Sequence, residues 1–501
     1  MTVEYDLIII GGSKAGIYAA LTSAYLKARV ALVISPNIYQ KSLENCLIYN
    51  QTFTEISQIL SQVRNAPQFG IEFPIIDTNQ EEKIPSVKVS DAMDWAEAVV
   101  DNCGEEFSPV MLASVGVDVI NGDGEFYRLP HFGFIVNNRR LRSRSFLIAT
   151  GNRPKIPDIN GLSTVDYCTP MDIWRQLGKD HTGSINISDN IELPNRWVVI
   201  GGSYLGIELA QTLARLDCQV TLVISEAHIL PESDLEASNL IQGELEAEGI
   251  KIFTKSPVTQ IREIEGKKWI QAGNRAIEAD NILLAMGEEP NIEGLNWEGV
   301  GVKFDLAGLV LNEKLQTTNP RIYACGSVAG GLAAANLARY QARIAVKNAL
   351  FAPLFQVNYL GIPQIIFTQP QLAEVGLTEE TARERYGKDI WVVRQYFKNL
   401  DKGHILGETT GFCKFVVRRN GEILGASIVG VEASELIGAI ALSIQHKIKL
   451  GDIADLAQVS PSCAEILEKT AQQWQDQRLQ SNKTLQNFLE SFFNWRRDWS
   501  K

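Results

Sequence analysis

The sequence lacks several features that would assign it to common classes of protein. Its seven cysteines are scattered without a Cys-x-x-Cys pair, so neither a metal cluster nor a disulfide framework is expected. No apolar run approaches the roughly 20 residues that cross a bilayer. The first apolar run also begins too early to leave room for a secretory signal peptide. The net charge of −12 argues against a nucleic-acid partner. We therefore expect a cytoplasmic protein without a metal site.

What the sequence does contain is a repeated glycine turn. Residues 7–35 read LIIIGGSKAGIYAALTSAYLKARVALVIS, and residues 197–225 read WVVIGGSYLGIELAQTLARLDCQVTLVIS. The two segments align without a gap. Each has an apolar run, the letters IGGSxxGI, an Ala/Leu-rich periodic stretch and a second apolar run. This order predicts strand, turn, helix and strand, a unit that holds a dinucleotide.

The chemistry of each turn follows from its residue types. Gly11 and Gly201 permit the bend out of the strand. A helix N-terminus then offers free N–H groups to a pyrophosphate. Ser13 and Ser203 replace the middle glycine of the usual pattern. A Cβ at that position leaves the phosphates less room to approach the backbone, although the serine hydroxyl could also bond a phosphate. The predicted nucleotide-binding residues are Gly11, Gly12, Ser13, Lys14, Ala15 and Gly16 in one turn, and Gly201, Gly202, Ser203, Tyr204, Leu205 and Gly206 in the other.

Four further segments carry a family resemblance. They read SFLIATGNRPKIPDING (145–161), NILLAMGEEPNIEGL (281–295), TNPRIYACGSVAGGLAAANLARYQARIAVK (318–347) and FTQPQLAEVGLTEETARERY (367–386). With the two turns, they resemble the pyridine nucleotide-disulfide oxidoreductases, above all mercuric reductase-like and dihydrolipoamide dehydrogenase-like members of cyanobacterial type. The resemblance runs from residue 5 to about residue 467.

The resemblance implies an α/β fold with two Rossmann-like FAD/NAD(P)-binding domains and a C-terminal α+β dimerisation domain. The implied domains are the first part of the FAD-binding domain (1–155), the NAD(P)-binding domain (156–285), the second part of the FAD-binding domain (286–352), the interface domain of a homodimer (353–470) and a helical extension (471–501). The polar stretch 178–195 is expected to form a surface loop.

The resemblance also implies where FAD and NAD(P)H bind. The FAD residues beyond the first turn are Asp123, Gly124, Thr150, Gly151, Gly326 and Ser327; the NAD(P) residues beyond the second turn are Glu208, Glu226 and Gly287. Glu226 would repel a 2′-phosphate and favours NADH. Because Glu226 does not lie at the usual strand-end position, the sequence leaves the choice between NADH and NADPH open.

Several parts of the family pattern are missing. The family carries two cysteines separated by four residues, whereas residues 36–56 contain Cys46 alone. Ser460 stands where the family has its C-terminal histidine, although Glu465 keeps the place of the glutamate that orients it. Ile34 and Ser35 end the second strand without an acid for the adenosine ribose, and Gly326-Ser327 replaces Gly-Asp. The catalytic candidates that remain are Glu208 and Glu465.

Two functions fit these residues. The first is an FAD-dependent NAD(P)H oxidoreductase that passes electrons to a small-molecule or protein acceptor other than a disulfide. The alternative is a catalytically silent, nucleotide-binding dimeric scaffold or redox sensor on the same fold. The retained turns and Glu208 favour the enzyme, whereas the lost cysteine, histidine and aspartate favour the scaffold.

The C-terminal extension, residues 471–501, has its own pattern. Its apolar residues recur near helical spacing: Trp474, Leu479, Leu485, Phe488, Leu489, Phe492, Phe493 and Trp495. One interpretation is an amphipathic helix packed on its own dimer. The other is a docking face for a membrane surface or a partner.

Overall fold

The computed structural model describes residues 3–36, 38–72, 85–104, 108–129, 131–177, 193–331 and 334–499. Most of the predicted loop 178–195 lies outside them. The strands are β1 (Tyr5–Ile10), β2 (Val30–Ile34), β3 (Val117–Asn121), β4 (Gly124–Tyr127), β5 (Gly133–Val136), β6 (Arg139–Leu141), β7 (Ser143–Ile148), β8 (Asn152–Pro154), β9 (Arg196–Ile200), β10 (Gln219–Val223), β11 (Lys251–Phe253), β12 (Val258–Ile264), β13 (Lys267–Ala272), β14 (Arg275–Ala279), β15 (Asn281–Leu284), β16 (Glu288–Pro290), β17 (Phe304–Asp305), β18 (Gly308–Leu309), β19 (Ile322–Ala324), β20 (Gln364–Ile366), β21 (Gln371–Gly376), β22 (Ile390–Tyr396), β23 (Phe412–Arg418) and β24 (Ile423–Gly430).

The helices are α1 (Lys14–Tyr25), α2 (Ile38–Asn65), α3 (Val89–Gly104), α4 (Pro109–Ser114), α5 (Ile173–Leu177), α6 (Tyr204–Arg215), α7 (Leu235–Ala247), α8 (Trp297–Val300), α9 (Ala335–Leu350), α10 (Glu379–Tyr386), α11 (Asp401–Leu406), α12 (Ala433–Gln445), α13 (Leu450–Ala454), α14 (Glu465–Ser481) and α15 (Lys483–Asp498). Within the described ranges, no helix is long and apolar enough to cross a bilayer. The mixture of parallel βαβ units and an antiparallel sheet confirms the predicted α/β fold class.

The chain forms two compact units. Unit 1 contains residues 1–227 and 248–357, and unit 2 contains residues 228–247 and 358–501. Helix α7 falls within the predicted NAD(P)-binding range 156–285, yet it belongs to unit 2 with the C-terminal sheet. All the domain boundaries expected from the sequence stay predictions.

Unit 1 contains two parallel sheets. The first has the order β19-β7-β1-β2-β3, and the second has the order β11-β10-β9-β15. Alternate residues of β1 enter different apolar clusters: Leu7 and Ile9 join one, and Ile8 and Ile10 join the other. Both faces of the first sheet are therefore buried, as its nearly continuous apolar strands require. The carboxyl ends of its parallel strands meet at one edge, where ligands bind in such sheets.

Unit 2 is built on an antiparallel sheet of order β20-β21-β24-β23-β22. Its core combines sheet residues such as Phe415 and Ile428 with Ile440 of α12 and Ile466 and Trp474 of α14. Helix α14 is thereby fixed to the unit through its buried first half. Helix α15 follows it and has no buried residue.

A buried cluster of ion pairs connects α7 to this sheet. Lys414 of β23 donates from Nζ to Asp234 Oδ1 at 2.7 Å, just before α7 begins, and lies 3.3 Å from both Glu236 Oε2 and Glu379 Oε2. Glu374 accepts the Asp234 backbone N–H at 2.9 Å, and its burial raises the pKa of its carboxyl. Asp234 also caps α7 by accepting the Glu236 N–H. One buried cation is thus shared by three carboxylates.

Candidate functional site

The first glycine turn joins β1 to α1. Gly11 has φ +116°, and a Cβ there would lie 2.2 Å from the Ala149 carbonyl oxygen. A Cβ on Gly16 would lie 2.2 Å from the Gly11 oxygen. Ser13 Oγ donates to the Ala149 carbonyl at 2.7 Å and accepts the Gly16 N–H at 3.3 Å. The hydroxyl in the middle position therefore caps α1.

The second turn, between β9 and α6, repeats this construction. Gly201 has φ +105°, and a Cβ there would lie 2.4 Å from the Ala285 carbonyl oxygen. A Cβ on Gly206 would lie 2.4 Å from the Ala285 side chain, and Ser203 Oγ accepts the Gly206 N–H at 3.2 Å. Both turns hold a helix N-terminus close to the neighbouring strand end. A helix N-terminus in this position is the kind of site that attracts a pyrophosphate.

The other predicted FAD residues of the first sheet lie near the carboxyl ends of β7 and β19. Thr150 Oγ1 donates to the Asn291 carbonyl at 2.6 Å, and the Asn291 N–H donates to the Gly151 carbonyl at 2.9 Å. A Cβ on Gly151 would lie 3.9 Å from Ser327 Oγ, so these two positions face each other. Gly326 has φ +76°. Because β19, β7 and β1 are neighbours, these residues share the sheet edge of the first turn.

A carboxylate lies at the end of β2, where the sequence pattern lacks an acid. Ser35 Oγ donates to Asp123 Oδ1 at 2.5 Å, and the Gly122 N–H donates to the Ile34 carbonyl at 2.9 Å. Asp123 comes from the turn between β3 and β4, next to Gly124, and β3 pairs in parallel with β2. The sequence predicted Asp123 as an FAD residue but did not reveal that its carboxylate contacts the β2 end. No local pattern signals a contact that depends on strand pairing.

The residues at this sheet edge fit FAD. They provide a helix N-terminus, close-packed glycines, two residues that face each other near the ends of neighbouring strands, and an exposed carboxylate at the end of β2. The glycine and serine positions are those that the resemblance predicted. Their assignment to FAD stays a prediction.

Glu208 of α6 lies on the nicotinamide side predicted from the sequence. It is 2% exposed, and its Oε2 accepts a hydrogen bond from Gln51 Nε2 of α2 at 3.2 Å. Burial, together with the nearby Glu288 and Glu208 carboxylates, raises the pKa of Tyr204. Burial also raises the pKa of Glu288 itself. Glu288 was missed at the sequence level, because only folding brings β16 near α6.

Two further predicted residues on the nicotinamide side lie at loop positions. Gly287 has φ +89°, and a Cβ added there would have no heavy atom within 4 Å. Glu226 is exposed, and its Oε2 accepts a hydrogen bond from Ser225 Oγ at 3.0 Å. Their roles in nucleotide binding stay predictions.

Helix α2 carries Cys46 and is fastened to α5 and the turn before it. The Cys46 thiol donates to the Met171 carbonyl. Asn50 Oδ1 accepts the Trp174 indole N–H at 2.8 Å, and the Phe53 and Trp174 rings stack with centroids 3.7 Å apart. These contacts hold the segment where the sequence resemblance places two cysteines.

Five cysteines other than Cys46 lie in surroundings that make them poor nucleophiles. Burial raises the pKa of four of them to about 12: Cys168, Cys218, Cys325 and Cys413. Because the thiolate is the reactive form, these thiols are inert at neutral pH. Burial also raises the pKa of Cys463, which lies two residues before Glu465.

Glu465 begins α14 in unit 2. Its Oε2 accepts the Ser462 N–H at 3.1 Å, and this bond is the main cause of a lowered carboxyl pKa. Ser460, at the histidine position, is exposed. The carboxylate therefore stabilises the turn into α14, and its catalytic role stays a prediction.

Comparison with known proteins agrees with this architecture. Residues 5–342 match the family described as pyridine nucleotide-disulphide oxidoreductase, and residues 362–471 match its dimerisation domain. The chain is 30% identical over 459 residues to a mercuric reductase of Staphylococcus aureus, covering 90% of this chain and 79% of the relative. It is 27% identical to a dihydrolipoyl dehydrogenase of Bacillus subtilis, covering 92% and 97%.

Two solved structures share the fold. The HOCl-induced flavoprotein disulfide reductase RclA from Escherichia coli has a TM-score of 0.77 at 24% identity, covering 93% of this chain and 99% of that one. LpdA from Mycobacterium tuberculosis has a TM-score of 0.81 at 22% identity, with the same coverage. The matched dimerisation domain supports a homodimer. The chain belongs to the pyridine nucleotide-disulphide oxidoreductase family, whose members are FAD-dependent oxidoreductases that use NAD(P)H.

Proposed function

We propose that the protein is a cytoplasmic, homodimeric FAD-dependent NAD(P)H oxidoreductase whose electron acceptor is not a disulfide. The observation that carries this proposal is the environment of Cys46. In the family pattern a second cysteine would stand five positions away, at residue 41 or 51, and these are Lys41 and Gln51. The Gln51 amide instead donates to Glu208 at 3.2 Å. A disulfide within one chain needs two sulfurs within bonding reach.

Each turn has a separate task in this proposal. The N-terminus of α1, with Gly151 and Ser327, would hold FAD, and the N-terminus of α6, with Glu208, would hold the nicotinamide nucleotide. Bound FAD would supply the capacity to accept a hydride and release electrons to the acceptor. The Gln51 amide would fix the orientation of the Glu208 carboxylate. The raised pKa of Tyr204 keeps its hydroxyl neutral well above neutral pH.

The decisive experiment compares acceptors. NADH or NADPH should bleach the flavin anaerobically, and quinones, dyes or oxygen should reoxidise it. Glutathione disulfide, lipoamide and mercuric ion should show no turnover above background. Cys46→Ser should leave dye reduction within about twofold, like the matched exposed-cysteine control Cys103→Ser, because nucleophilic catalysis is not required.

Two outcomes would overturn the proposal. Lipoamide or glutathione reductase activity that disappears in Cys46→Ser would show that a second sulfur reaches this site. A colourless protein that takes up no FAD at excess would instead favour the silent scaffold or sensor. The second candidate is supported by Ser460 and Ser327, which stand where the family pattern has a histidine and an aspartate.

We also predict that Asp123 takes over the contact to the adenosine ribose. Its carboxylate lies at the β2 end, 2.5 Å from Ser35 Oγ. Asp123→Asn should weaken FAD binding about tenfold, since a charge-assisted hydrogen bond is about twice as strong as a neutral one. Glu125→Gln, an equivalent change at an exposed residue of the same hairpin, should have no effect. Titration of flavin fluorescence measures both. Equal affinities in the two variants would remove Asp123 from the site.

A change at Ser327 should affect FAD affinity in the opposite direction. Ser327→Asp should tighten FAD binding about fivefold to tenfold by restoring a carboxylate next to Gly151. The expected readout is more flavin per protomer after purification and a lower dissociation constant. A flavin content unchanged from wild type would show that the ribityl contact is made elsewhere.

A further inference from the structure

Helix α15, the last helix of the chain, is amphipathic and uncovered. Its apolar side is lined by Leu485, Phe488, Leu489, Phe492, Phe493, Trp495 and, just beyond the helix, Trp499. The helix has no buried residue, and Phe488, Trp495 and Trp499 are 64%, 51% and 78% exposed. We call these seven side chains the aromatic stripe. An exposed apolar face made of seven large side chains normally marks an interaction site.

The side chains of the stripe pack on one another along the helix. The rings of Phe492 and Phe493 are 5.4 Å apart, and those of Trp495 and Trp499 are 4.5 Å apart. Five of the seven are aromatic, and none is β-branched. Interfaces between helices usually rely on Leu, Ile and Val at the contacting positions. Trp, Phe and Leu opposite a polar face are the composition of helices that lie in a membrane interface.

The charges of α15 favour an anionic surface on that side. Arg496 follows Phe492 by four positions and Phe493 by three, and it precedes Trp499 by three, so it lies on the same side as the stripe. Glu490 and Asp498 share the opposite side with Asn494, four positions from each. The face that meets a partner is therefore apolar and cationic, although the whole chain has a net charge of −12.

We propose that α15 docks on an anionic lipid surface, with the aromatic stripe in the headgroup region and Arg496 against lipid phosphates. A protein groove lined by apolar residues would bury the Arg496 charge at a cost, whereas a lipid surface leaves the guanidinium in the polar headgroup layer. A second copy of the helix packed in parallel would bring two Arg496 side chains together. The inference does not depend on the identity of the electron acceptor.

Sedimentation of the full-length protein with lipid vesicles tests this proposal. Wild type should bind vesicles that contain phosphatidylglycerol and bind pure phosphatidylcholine vesicles less. Trp495→Ala/Trp499→Ala should weaken binding about tenfold or more, because these side chains no longer enter the interface. The matched polar-side variant Asn487→Ala/Asn494→Ala should bind like wild type. Arg496→Gln should weaken binding only to the anionic vesicles, by about fivefold.

Light scattering of the same variants separates the alternatives. We expect the same molar mass for wild type, the double tryptophan variant and the asparagine control, because the stripe does not hold the dimer. A loss of mass in the tryptophan variant alone would assign the stripe to a second copy and overturn the proposal. So would a wild-type protein that fails to bind anionic vesicles. Flavin content, measured in parallel, confirms that each variant is folded.

Discussion

Lys414→Met should lower the free energy of unfolding by about 3–5 kcal/mol, the cost of removing one partner from a buried ion pair. The Lys414 and Asp234 side chains are each 3% exposed, and Nζ lies 2.6 Å from Asp234 Oδ2. Burial alone would lower the pKa of Lys414, but the hydrogen bond to Asp234 and the attraction of three carboxylates raise it, so the amine stays charged. Methionine keeps most of the volume and leaves Asp234, Glu236 and Glu379 without their shared cation.

Denaturant unfolding of the variant and a matched control measures this effect. Lys388→Met removes an exposed lysine of the same unit and should change stability by no more than about 0.5 kcal/mol. The deficit of Lys414→Met should also shrink at acid pH. A buried carboxylate that has lost its cation favours its protonated form, so the variant loses stability as the pH rises above the unfolded carboxyl pKa. A similar stability for both variants at neutral pH would contradict the role given to the cluster.

Alanine at the first glycine of either turn should weaken binding of one nucleotide about a hundredfold and spare the other. Gly11 and Gly201 have φ of +116° and +105°, and a Cβ would lie 2.2 and 2.4 Å from a backbone carbonyl oxygen. Backbone atoms cannot rotate away as a side chain can, so the turn must shift and carry the helix N-terminus with it. A displacement of about 1 Å at such a site costs about a hundredfold. We expect Gly11→Ala to lose FAD and Gly201→Ala to lose NAD(P)H affinity.

Gly243→Ala is the matched control for these variants. Gly243 lies inside α7, has no positive φ, and has no heavy atom within 4 Å of an added Cβ. Alanine there should raise stability by about 0.5–1 kcal/mol and leave both nucleotides bound. Flavin absorbance and an NADH titration report the two sites separately. If Gly201→Ala purified without flavin but bound NADH normally, the assignment of the two turns would be reversed.

The two turns could be predicted from the sequence because they are local structures. The bend, the helix cap and the close packing all arise within about ten residues, so the spacing of Gly11, Ser13 and Gly16 records them directly. The α/β fold followed from the same pattern repeated. The sequence also predicted a helical extension, since the period of its apolar residues needs no tertiary information.

The contacts that complete the site were not predictable from local patterns. Asp123 meets Ser35 only after β2 and β3 pair, although the two residues are 88 positions apart. Gln51 meets Glu208 across 157 positions, and its residue type gives no hint of a buried acid. The sequence therefore described the missing cysteine and acid as losses. The structure adds the contacts that Gln51 and Asp123 make, because packing decides which polar groups meet.

The attachment of α7 to the C-terminal sheet bears on how the chain can reach its native state. Asp234 and Lys414 are 180 positions apart, and α7 buries Ala237, Ile241 and Leu245 in a unit whose sheet begins at Gln364. During synthesis the helix leaves the ribosome well before β23 exists. Unit 2 therefore cannot close until synthesis is nearly complete, and such long-range closure is slow. A fragment that ends at residue 357 would carry α7 without its partner strands and would leave Asp234 and Glu236 without Lys414.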